Sequence, residues 1–233
     1  KSIKINPGFS KARLLSLEIL LSQKNKPEIT KMFTEWLSAS NVLDEPIKSL
    51  LALTNYGFYP SELAVILERL ETKHHKDPRI VSAMADLFFI EKKYLKAVEK
   101  YKILISLLTA NKKMLARAFY QVGYCYNELK NSEQAVLALQ QAISADSKFA
   151  ESFNLISYIY LKNGNALDQA LEFAEKALKL ERNTVAFFDT KAMILIKMKK
   201  FDLAKKTLVR ALDIDPKNSE LKKRMAEIGL MQH

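Results

Sequence analysis

Catalysis needs a nucleophile, a base or a metal held in a pocket, and this chain is poor in the residues that supply them. Its histidines are His74, His75 and His233. An adjacent pair lacks the i, i+4 spacing with which one helix face chelates zinc. His74 and His75 lie in "ETKHHKDP", a charged helix end before Pro78, where basic side chains interact favourably with the helix C-terminus. The single cysteine, Cys125, sits between Tyr124 and Tyr126 with no histidine near it in sequence, and reads as a small buried hydrophobe. One cysteine excludes an internal disulfide and a cysteine-based zinc cluster. Five scattered glycines form no G-x-G-x-x-G or Walker loop, and no G-x-S-x-G elbow occurs. Asp213 and Asp215 fall at the end of a helical segment. The expectation is a protein that makes and breaks no bonds and uses no cofactor or metal.

What remains is the chemistry of recognition. "AFYQVGYCYNELK", residues 118 to 130, places Phe119, Tyr120, Tyr124 and Tyr126 on one helix. Tyrosine combines a large apolar area with a polar tip and few rotamers to freeze, which suits a binding surface. Lysine is the other abundant resource. The net charge is +11, yet only seven of the 37 basic residues are Arg, whereas phosphate recognition favours the bidentate guanidinium. "EKKYLKAVEKYK", "KMKKFDLAKK" and "ELKKRM" interleave lysine with Tyr or Phe. Such runs are more often solvated helix faces, with long stems covering apolar surface, so nucleic acid is an unlikely partner.

The elements that must position these residues are helices. The chain has 233 residues, 48% hydrophobic and 27% charged, with 5 Gly and 6 Pro; that is too few turn residues for a β-rich fold. No apolar run is long enough to span a membrane, "ILISLL" at 103–108 being among the longest. The first residue is Lys and no signal peptide follows, which reads as a piece of a longer protein. Compartment stays open, cytoplasm and periplasm both being compatible.

Self-similarity then organises the chain. Ala85, Gly123, Ser157 and Ala192 are spaced by 38, 34 and 35 residues. Ala97, Ala135, Ala170 and Ala204 follow them by 12, 12, 13 and 12, and Leu104, Ala142, Ala177 and Ala211 follow by a further 7 each time. Each unit is a pair of amphipathic helices. In the second, Phe119, Val122, Gly123 and Tyr126 recur at steps of three and four, "KNSEQ" breaks the pattern with Ser132 as N-cap, and Ala135, Leu139 and Ala142 share one face. Small residues at 123, 135 and 142 allow helix backbones to approach closely.

This pattern resembles the tetratricopeptide repeat, a 34-residue helix-turn-helix unit. The matching residues are Phe119, Val122, Gly123, Tyr126, Ala135, Leu139 and Ala142, then Phe153, Ile156, Ser157, Tyr160, Ala170, Ala174 and Ala177. Phe188, Ala192, Leu195, Ala204, Leu208, Ala211 and Pro216 supply the last unit, in which Lys191 departs from the expected apolar position. Val81, Met84, Ala85, Phe88, Ala97, Tyr101 and Leu104 supply an earlier one. Four repeats thus cover residues 78–218. Residues 1–77 read as degenerate helical pairs, with Ala52 and Ala64 twelve apart but Glu71 in place of the third small residue. "KSIKINPGF" at the start reads as the tail of an upstream repeat, like "RALDIDPKN" at 210–218. Residues 219–233 read as a capping helix, with Leu221, Met225 and Ile228 on its buried face.

The resemblance implies an all-α solenoid, a right-handed superhelix of about six helix-turn-helix pairs plus that C-terminal cap. It implies that first helices line a concave groove. Transferred position by position, the groove residues are Ser82, Asp86, Phe89 and Ile90; Arg117, Tyr120, Tyr124, Asn127 and Glu128; Glu151, Asn154, Tyr158, Leu161 and Lys162; and Asp189, Met193, Ile196 and Lys197. A carboxylate clamp for an acidic chaperone tail would need Lys, Asn and Arg where this chain has Tyr120, Tyr124, Leu155, Ala186 and Thr190, which disfavours that ligand. The expected function is a non-catalytic scaffold that binds a peptide or helix of a partner protein. The alternative is an electrostatic binder of nucleic acid or an acidic membrane surface.

Overall fold

In the computed structural model, residues 60–108, 110–164 and 166–231 are described, with residues 19–20, 27–29, 31–32 and 35 before them. The expectations placed on residues 1–59, including the upstream repeat tail and most of the degenerate pairs, lie outside this range. The described residues are helix and turn, without strand. The chain divides into two compact units, Lys1–Leu108 and Thr109–His233.

From Pro60 onward the first unit holds α1 (Pro60–His74), α2 (Pro78–Ile90) and α3 (Tyr94–Leu107). Pro78 opens α2 with its fixed φ and needs no N–H partner there; Asp77 caps the helix, accepting from the Arg79 backbone N–H at 2.9 Å. Val81, Met84 and Ala85 of α2 and Ala97, Tyr101 and Leu104 of α3 are buried, as the repeat pattern requires. Glu71, in the place of a small residue, reaches from α1 to an ion pair with Lys100 on α3.

The second unit holds α4 (Lys112–Glu128), α5 (Ser132–Ala145), α6 (Ala150–Asn163), α7 (Leu167–Leu180), α8 (Val185–Lys197), α9 (Phe201–Ile214) and α10 (Ser219–Met231). Within each pair the close approach is made by small residues. Ala135, Ala142, Ala170, Ala177, Ala204 and Ala211 are all fully buried. A Cβ on Gly123 would stand 2.7 Å from Leu139 Cγ, so α4 and α5 meet with no room for a side chain there. Ser157 holds the equivalent place in α6 and turns its hydroxyl to use, donating to the Ala170 carbonyl of α7 at 2.7 Å. The cap of α5 is Asn131, which accepts from Gln134 N–H at 3.1 Å. The sequence reading set it one residue later, at Ser132; both residues are good N-caps, and the preceding turn decides between them. α10 packs against α9 and buries Leu221 and Ile228.

First helices end alike. Lys92, Lys130 and Lys199 follow the ends of α2, α4 and α8 with φ of 58°, 61° and 59°, and Gly164 ends α6 at 76°. In this left-handed cap the next N–H reaches back to the last turn: Asn131 N–H to Tyr126 C=O at 2.9 Å and Lys200 N–H to Leu195 C=O at 2.8 Å. Only Gly164 adopts it without a Cβ penalty.

Candidate functional site

The stacking of the second unit is asymmetric. The first helices α4, α6 and α8 touch in succession, whereas the second helices α7 and α9 scarcely meet. The groove residues expected from the sequence in the second unit lie on these three neighbouring helices.

Tyr120, Tyr124 and Tyr158 stand there as part of the packing. All three are half-buried against the cluster of Ala135, Leu139, Leu155, Ile156 and Ile159. The Tyr120 ring meets Phe149 edge-on, centroids 5.4 Å apart, a favoured aromatic geometry. Burial first, then the charge of Glu151 and the neighbouring Tyr124, pushes the Tyr120 hydroxyl up to about 12. Tyr124 is raised as well, by burial and then by Glu128, Cys125 and Tyr158. The Lys162 ammonium lies 5.3 Å from the centre of the Tyr158 ring. Tyrosines 120, 124 and 158 thus pack between helices and stay only half-buried.

The polar members of the predicted set divide. Asn154 is half-buried, and its Oδ1 is buried with no hydrogen-bond partner. Asn127 donates only a long 3.5 Å bond to Glu128. Arg117 is exposed, while Glu151 is half-buried. Asp189 is already engaged: Arg224 of α10 brings Nε to 2.7 Å from Oδ1 and donates from Nη2 to Oδ2 at 3.3 Å. Lys197 donates to the Leu161 carbonyl at 3.0 Å, closing the end of α6. Leu161 itself is 4% exposed, so its place is the core; that position faces the next repeat rather than the open face. Met193 and Ile196 line a cavity of about 260 Å³ with Lys162, Arg224 and Glu227, between α6, α8 and α10. Sequence reasoning missed Arg224 and Glu227, because α10 was taken only as a cap.

In the first unit, Asp86 accepts from the Tyr101 hydroxyl at 2.6 Å, and Phe89 meets Tyr94 edge-on with centroids 6.1 Å apart. Ser82 is half-buried and Ile90 is exposed.

Cys125 is fully buried. Its thiol is pushed up to about 12, mainly by burial, which keeps it protonated and unreactive. No described helix is long and apolar enough to cross a membrane.

Comparison with known proteins agrees with this geometry. The family model described as tetratricopeptide repeat matches residues 116–149, 150–184 and 187–218. Human tetratricopeptide repeat protein 21B is 24% identical over 196 residues, 82% of this chain; the chain spans only 14% of that relative. Among solved structures, the C-terminal part of a TPR repeat-containing protein from Cytophaga hutchinsonii superposes with a TM-score of 0.65 at 17% identity, covering 80% of this chain and 71% of that one. YrrB, described as a TPR protein with an unusual peptide-binding site, superposes with a TM-score of 0.54 at 14% identity, covering 97% of this chain and 96% of its own. Paired helices at constant spacing, small residues at each close approach and the family match agree: residues 116–149, 150–184 and 187–218 each match the tetratricopeptide-repeat model, and the described helices share the fold of tetratricopeptide-repeat solenoids.

Proposed function

We propose that this chain is a non-catalytic protein-interaction scaffold, and that the α4–α6–α8 face receives a peptide or helix of a partner. One observation carries the reading. The side-chain amide oxygen of Asn154 is buried without a partner, four residues before the half-buried Tyr158. An unpaired buried polar atom costs about 1–3 kcal/mol, and turning the Asn154 amide outward to accept from a bound peptide N–H would remove that cost. Tyr124, Tyr158 and Met193 supply apolar anchors on the same face, with Asn127 and the exposed Arg117 as polar contacts. Asp189 acts indirectly, holding Arg224 at the edge of the α6–α8–α10 cavity. Asp86 and Phe89 belong to the first unit and contribute through its own α2 face. The peptide-binding site named in the description of YrrB is a property of that protein, and supports this class of function by analogy of fold.

The test is capture of binding proteins by the full chain, followed by titration of an identified partner against Tyr124→Ala, Tyr158→Ala and Asn154→Leu. Each should weaken binding about tenfold or more, as loss of an interface anchor does, with helicity unchanged. Equal affinity for all three variants would place the site elsewhere.

A further inference from the structure

The second helices carry a feature the repeat pattern does not require. α6 and α8 touch, whereas α7 and α9 scarcely meet. A cleft of about 600 Å³ opens between them, with α8 as its floor, a size typical of ligand sites. The floor is apolar: Leu171 and Leu178 from α7, Phe188 and Leu195 from α8, and Leu203 from α9. Leu203 is 52% exposed. Around this floor converge Lys179, Arg182, Lys191, Lys200, Lys206 and Arg210, against one acid, Glu175. Glu175 is taken by Lys191 at 2.8 Å. The other five cations make no ion pair among the described residues. Lys191 is also the residue that breaks the repeat's apolar signature, and in the structure it lines this cleft.

A solvated lysine face does not need an apolar floor, and a nucleic-acid backbone gains nothing from one. Apolar floor and unopposed cationic rim together match one chemistry. We propose that the α7–α9 cleft is a second docking site, separate from the first-helix face, which takes an acidic segment of a partner protein anchored by apolar side chains. The anchors fill the floor; carboxylates meet the rim, steering encounter and setting specificity.

The probe is a fluorescein-labelled peptide of roughly 15 residues, Glu throughout except Leu at i, i+3, i+4 and i+7, the spacing of one helix face. It is titrated into the full chain by fluorescence anisotropy beside an all-Glu peptide and a single-stranded DNA oligomer of equal length. The expected result is saturable binding of the Glu/Leu peptide, at least about tenfold tighter than the all-Glu peptide or the DNA. Lys206→Glu/Arg210→Glu and, separately, Leu203→Ser should each weaken it about tenfold. These positions are surface-exposed, and circular dichroism verifies that each variant is folded. Tyr124→Ala on the first-helix face should leave it unchanged, so this proposal and the first-helix reading fail independently. Absent binding, equal binding of the all-Glu peptide or DNA, or affinity insensitive to the cleft substitutions would overturn it.

Discussion

Gly123→Ala tests the closest helix approach of the second unit. Alanine is the better helix former by about 1 kcal/mol, so in an open helix the change would stabilise. Here the new Cβ would stand 2.7 Å from Leu139 Cγ, 2.9 Å from Leu139 Cδ2 and 3.1 Å from the Ala135 carbonyl oxygen. Carbon contacts are comfortable at about 3.5–4.0 Å. Leu139 is fully buried and has no free space to swing into, and Ala135 O is backbone. α4 and α5 must therefore separate. Overpacking of this kind costs about 1–3 kcal/mol, which exceeds or cancels the propensity gain and leaves a net loss of about 1 kcal/mol. Urea unfolding followed by far-UV circular dichroism reads the change. Leu139→Ala provides the second corner of a cycle: alone it should cost about 2–5 kcal/mol, and in the Gly123→Ala background less, because the cavity accepts the added methyl. A stabilised Gly123→Ala, or a cycle that adds without coupling, would refute the close approach.

Two other outcomes follow from the same structure. Lys130 sits at φ 61°, where a side chain is strained, so Lys130→Gly should raise stability by about 0.5–1 kcal/mol in the same assay. Raised folded-state values for Tyr120 and Cys125, each about 12 against ordinary values of 10 and 9, mean that the unfolded chain releases these protons first. Their contribution to stability is intact at neutral pH and is lost as pH rises from about 9 towards 12. Urea midpoints should fall across that window, and Tyr120→Phe should flatten the part of the slope above pH 10; a midpoint independent of pH would contradict it.

The candidate site was legible unevenly. The core half of "AFYQVGYCYNELK" could be read directly, because Val122, Gly123 and Tyr126 obey the repeat spacing and pack as it demands. Tyr120 and Tyr124 could be placed on a face but not weighed. Their half-burial depends on Leu155 and Ile156 of the next repeat and on Phe149 in the turn, contacts that no local pattern encodes. Asp189 looked free for a ligand and is held by Arg224, thirty-five positions later. Lysine runs looked like solvated faces, and taken one helix at a time that is how they read.

Periodicity determined the helix pairs, their order and the small residues at each contact, because those depend on spacings within about 34 residues. The tertiary structure decided which polar groups are already paired, which tyrosines stay only half-buried, and where the cationic cleft opens. Those outcomes depend on the angle at which one repeat stacks on the next. In that stacking α6 and α8 touch while α7 and α9 scarcely meet, and no single repeat contains that information.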